Sequence, residues 1–185
     1  MIKPLITMMA AYNRLANRRL YDAVAEISDR DYRIDRGAFF GSLHGTLNHL
    51  LVGDLIWMQR FTGEGDAPRQ LDAILYEDFA ALRQAREALD QRIIRYAEAL
   101  TDAALAGTIR YHSTRSPAEL EQELAPLLLH FFNHQTHHRG QAHTLVTEIT
   151  GGAPSLDLLI FQRETGVSMV KGAGGDFSRP EKRPA

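Results

Sequence analysis

The chain has 185 residues, 44% hydrophobic and 24% charged, which is the make-up of one globular domain with a sizeable core. Lys and Arg number 21 against 23 Asp and Glu, a balance that offers no electrostatic basis for binding nucleic acid or a membrane surface. Cysteine is absent, so disulfides, thiolate metal ligands and a protein thiol nucleophile are excluded; this and the lack of a signal-peptide layout point to a cytoplasmic protein.

The first helical pattern covers residues 5–27, with Ile6, Met9, Leu20, Val24 and Ile27 on one face. Asn13 and Asn17 fall on that same face. They read either as hydrogen-bonding partners across a bundle or as part of a polar pocket. Residues 29–40 read as a loop, with Asp31, Asp35 and Gly37 as turn formers.

Ser42 is placed to cap a second helix that reaches Phe61 and is stopped by Thr62-Gly63-Glu64-Gly65. This helix is apolar almost all round, as expected of one buried by its own bundle and by a second subunit. It carries His49, with Gly45 and Gly53 one turn away on either side, and Asp54, an acceptor for a histidine or a partner for Arg86. Beyond a loop containing Pro68, the third helix covers 77–100 with the stripe Phe79, Leu82, Leu89, Ile93, Tyr96 and Leu100.

Residues 105–117 form either a short hairpin or an irregular crossover. The fourth helix begins near Pro117 and ends at Thr150 before Gly151-Gly152; Pro126 kinks it or marks its true start. A short fifth helix covers 155–164. The domain is 1–166, and 167–185 reads as a flexible tail.

Four long helices make an all-α four-helix bundle, a fold that builds its ligand sites between facing helices. His134 and His138 lie four residues apart in the fourth helix and so project from one face, the spacing by which a helix offers two nitrogens to one metal. With residues advancing about 100° each, both fall mid-stripe among Leu120, Leu124, Leu127, Phe131, Ala142, Leu145 and Ile149. Metal ligation and a hydrogen-bonded pair of core histidines are the two readings. His49 is the best third ligand; read alone it is a core histidine. His130 and His137 flank the face, and Gln141 lies one turn beyond His138. Gln135 stands where a zinc protease has its catalytic Glu, which disfavours that chemistry.

The segment from Leu128 to Gln141, LLHFFNHQTHHRGQ, closely resembles the signature of the DinB-like family of DNA-damage-inducible proteins. Tyr12-Asn13-Arg14-Leu15-Ala16-Asn17 and Asn48-His49-Leu50 look like its other recurring elements, and the likeness runs over residues 5–165. It implies a four-helix bundle of left-handed, crossover connectivity, usually a homodimer, with a divalent metal, zinc or nickel, held by His49, His134 and His138. Relatives with assigned activities include low-molecular-weight thiol transferases and a thiol-dependent isomerase. The expectation is a metal-dependent enzyme acting on a small molecule, with Asn13, Asn17, Asp54, His130, His137 and Gln141 around the metal. The alternative is a non-catalytic metal-binding stress-response protein.

Overall fold

The computed structural model describes residues 2–113, 118–167 and 181–182. Its elements are α1 (Lys3–Val24), α2 (Asp29–Arg33), α3 (Leu43–Thr62), α4 (Phe79–Ala99), α5 (Asp102–Leu105), β1 (Thr108–His112), β2 (Glu119–Glu123), α6 (Leu124–Thr150), β3 (Gly152–Ala153), α7 (Leu158–Glu164) and β4 (Glu181–Lys182). The four long helices make an all-α bundle. α1 packs on α4 and α6, and α3 packs on the same two. Thus α1 and α3 stand diagonally, and so do α4 and α6. The chain crosses the bundle through α2 on the first diagonal and through α5 and the hairpin on the second. Among the described residues, no helix is long and apolar enough to cross a membrane.

Local chemistry sets the helix ends. The Ser42 hydroxyl accepts from Gly45 N at 3.0 Å to start α3, and Asp78 accepts from Ala81 N at 2.8 Å to start α4. Gly63 and Gly151 close α3 and α6 with φ of 73° and 80°, a left-handed turn that costs glycine little. Part of the stretch read as a loop, 29–33, is the helix α2, capped by Ser28 through Asp31 N.

The hairpin is the main departure from expectation. β1 pairs antiparallel with β2 from Thr108 opposite Glu123 to His112 opposite Glu119. Residues 119–123 are therefore strand, and the fourth long helix starts at Leu124. Pro126 lies in its first turn, where a backbone N–H has no helical partner to lose. The strand ELEQE is exposed throughout and has no apolar alternation to announce it. Cross-strand polar pairs hold it, among them Arg110 to Glu121 at 2.8 Å and Tyr111 to Gln122 at 3.1 Å. Pro117, the expected helix start, lies outside the described residues. So do 168–180 and 183–185 of the expected tail, whereas β4 pairs with β3.

The apolar circumference of α3 is covered within the chain, by α4, α6, α2 and β1. No large apolar side chain on it is exposed, so a second subunit is not needed to explain its composition.

Candidate metal centre

His49 on α3 faces His134 and His138 on α6, and one nitrogen of each ring lies within 4.8 Å of the others. Ring centroids are 4.4 Å apart for His49–His138 and His134–His138, and 5.3 Å for His49–His134. Close approach of α3 and α6 depends on Gly53. A Cβ there would stand 2.9 Å from His134 Cε1, inside contact distance. Gly45 serves in the same way: a side chain on it would collide with the Phe40 carbonyl. That contact seats the loop before α3, in which Gly37 and Gly41 take φ of 72° and 71° and Gly41 N bonds Ala38 O at 2.8 Å. The loop lays the Phe40 ring on His49, centroids 3.7 Å apart and planes 17° from parallel.

Hydrogen bonds define the free nitrogens. His49 Nδ1 donates to the Leu71 carbonyl at 2.6 Å, so its Nε2 carries the lone pair; that atom is buried and has no hydrogen-bond partner. His138 Nδ1 donates to Gln141 Oε1 at 2.8 Å, which likewise frees Nε2. A carbonyl or amide oxygen on the far nitrogen is the usual way a protein orients a metal-binding imidazole. Burial keeps the rings neutral. It pulls the His49 pKa down to about 4, against the Leu71 hydrogen bond. Burial, with His138, His49, His130 and His137 nearby, takes His134 to about 3. His138 is lowered by the same burial, opposed by Gln141. Three neutral imidazoles, two with oriented lone pairs, are the donor set of an open divalent-metal site. The residues fit the ion.

His137 and His130 are exposed on the flank. Their rings are 4.7 Å from His138 and 6.0 Å from His134.

Asn13, Asn17 and Asp54 belong elsewhere. Asn13 and Asn17 donate to Asp90 Oδ1 at 3.2 and 3.0 Å, and both accept from Arg139. Asp54 accepts from Arg86 Nη1 at 2.6 Å, and Arg86 Nη2 lies 2.9 Å from Asp90. The second contact is an ion pair without hydrogen-bond alignment, since Nη2 lacks an aligned acceptor. This network joins α1, α3, α4 and α6 through residues at most 3% exposed. Burial pushes both carboxyls up, opposed by the guanidinium between them. The three therefore work as cross-bundle partners, not as groups around the imidazoles.

The stripe on α6 also needs correction. Leu128, Phe132, Gln135, Arg139 and Val146 are buried beside the expected residues, because α6 packs on both α1 and α3. The buried arc is wide, and the two histidines lie towards its α3 edge. Leu120 is on β2 and exposed. Arg139, Asp90, Phe40 and Leu71 were missed. A charge on the apolar side of a helix was the signal available for Arg139 and Asp90; nothing in the sequence marks the other two.

The sequence profile of the DinB family matches residues 1–169. The chain belongs to the DinB family. It is also 23% identical over 171 residues to Protein DinB of Bacillus subtilis (strain 168), an alignment covering 83% of this chain and 92% of that protein. In this DinB-family chain the three-histidine group can hold a metal ion.

Proposed function

We propose that the chain is a metal-dependent enzyme that activates a small thiol or a water molecule for transfer or hydrolysis. The donor set carries this reading: three neutral imidazoles at one edge of a helix pair, with no fourth protein ligand among the described residues. A bound zinc or nickel ion would supply acidity, lowering the pKa of a thiol or water so that a nucleophile exists near neutral pH. The chain's own part is to hold that ion with His49, His134 and His138 and to fix two of the rings through Leu71 and Gln141. Because the sequence lacks cysteine, a sulfur nucleophile would have to arrive from solution. His130, whose pKa burial and Arg60 lower, is a neutral base beside the site and can take up a proton.

The test is metal analysis of protein purified without a nickel column, followed by assay against paired thiols and electrophiles. Turnover that follows metal content and is lost in His134→Ala, with the melting temperature kept, supports the reading. Stoichiometric metal with no turnover by any pair, and several kcal/mol of stability lost on chelation, would favour a structural ion instead.

A further inference from the structure

One helical turn beyond Gly53, α3 carries Trp57, and one turn beyond that Arg60. Trp57 meets His130 edge to face, centroids 5.2 Å apart, and His130 in turn is 6.0 Å from the triad member His134. From the other side the hairpin brings Tyr111 to 5.5 Å from Trp57. The Arg60 guanidinium sits against both rings, 4.6 Å from Trp57 and 4.8 Å from Tyr111, and donates to the His112 carbonyl at 3.0 Å. No carboxylate pairs with it among the described residues. Burial accordingly pulls its pKa down, as it does for a partly desolvated cation without a counter-ion.

Arg60 lines a cavity of about 480 Å³ with Ile56, Pro68, Arg69, Tyr111 and His112. Arg69 is exposed and makes no ion pair or hydrogen bond among the described residues, whereas the third arginine of the lining, Arg110, is taken by Glu121 at 2.8 Å. Among the described residues the cavity thus holds two guanidinium groups without a carboxylate partner. Their planar forks suit a carboxylate. Arg60 stands seven residues beyond Gly53, about 10 Å along the helix at 1.5 Å per residue.

We propose that this cavity is the subsite for a carboxylate carried by the substrate of the imidazole triad, with the chain between the two ends lying along Trp57 and His130. The assignment rests on the triad acting on a small molecule and adds its class: an acid whose reacting group and carboxylate are about 10 Å apart.

Trp57 is the single tryptophan and its ring touches two residues of the lining, 5.5 Å from Tyr111 and 4.6 Å from the Arg60 guanidinium, so its fluorescence reports occupancy. Metal-free full-length protein is titrated with octanoate and, separately, with octanamide. Octanoate should bind at least tenfold more tightly. Arg69→Gln, at an exposed position with no partner to lose among the described residues, should reduce that preference, and adding Arg60→Gln should abolish it. Equal binding of acid and amide, or a preference unchanged by Arg69→Gln and the double variant, overturns the subsite. A second arm uses cobalt-loaded protein, reading sulfur-to-cobalt absorption. 8-Mercaptooctanoate should bind better than 8-mercaptooctanol, whereas 3-mercaptopropionate should show no advantage over 3-mercaptopropanol. An equal advantage at both lengths overturns the proposed distance. If no thiol produces the absorption, the thiol reading of the triad fails, and the carboxylate subsite stands or falls on the metal-free titration.

Discussion

The imidazole of His134 occupies the space that a side chain at position 53 would fill: its Cε1 is 2.9 Å from the Cβ an alanine would bring to Gly53. In a helix interior, Gly→Ala usually stabilises by roughly 0.5–1 kcal/mol. Gly53→Ala should keep or raise the melting temperature, because the obstructing group is a side chain free to turn aside. The turn moves a ligand, so metal affinity should fall by about tenfold or more. Calorimetric unfolding and metal titration on the same variant separate the two effects. Unchanged affinity would show that His134 is not needed for binding.

Two atoms outside the triad orient its rings, and one can be removed without touching the core. Gln141→Leu takes away the acceptor on His138 Nδ1, which at 2.8 Å fixes the tautomer. Loss of such an orienting partner typically costs 10–100-fold in metal affinity. The variant should show that loss against a competing chelator, with little change in thermal stability, since Gln141 is only half-buried.

The four long helices and their facing histidines were legible because their information is local and periodic. His134 and His138 share a face by spacing alone, and Ser42 and Gly63 mark the ends of their helix by their own chemistry. What escaped depends on residues distant in the chain. Phe40 reaches His49 only because Gly45 lacks a side chain, and Leu71 contributes a carbonyl that any residue type would offer. Residues 119–123 form a strand because Arg110 and Tyr111 pair across to them, against the preference of a Glu-rich segment. By sequence Asn13 and Asn17 suit a cross-bundle bond at least as well as a pocket, and only Asp90 and Arg139, distant in the chain, decide for the bond.

That network predicts a large and specific loss of stability. Arg86 is 2% exposed and lies between Asp54 and Asp90, themselves 1% and 3% exposed. Arg86→Met retains most of the volume but leaves two buried carboxylates with one fewer cation. Removing one partner of a buried pair costs about 3–5 kcal/mol. Denaturant unfolding should register that loss. Adding Asp54→Leu should recover part of it, because the remaining charges, Asp90 and Arg139, balance. A loss below about 1 kcal/mol would mean that water reaches the network.

The depressed histidine pKa values make a prediction with a definite sign. An unfolded histidine titrates near 6.5. In the folded chain His49 titrates at about 4 and His134 at about 3. Between those limits the unfolded chain binds more protons, so the metal-free fold loses stability as pH falls from about 6.5, and the loss is complete only below about 3. Asp54 and Asp90 are shifted upwards and contribute the opposite sign, so the histidine part is obtained by subtracting the profile of a His49→Asn/His134→Asn variant. The same depression means that His49 and His134 have no proton to surrender when metal binds near pH 6.5. Histidine sites of ordinary pKa release protons there. Calorimetric titration at pH 6.5 in two buffers of different ionisation enthalpy should therefore return a proton release well below one per ion, and an affinity nearly level between pH 7.5 and 6. Release of a full proton or more, beyond the fraction that a metal-bound water of pKa near 7 gives up at about pH 6.5, would show that the rings are solvated and protonated before the ion arrives.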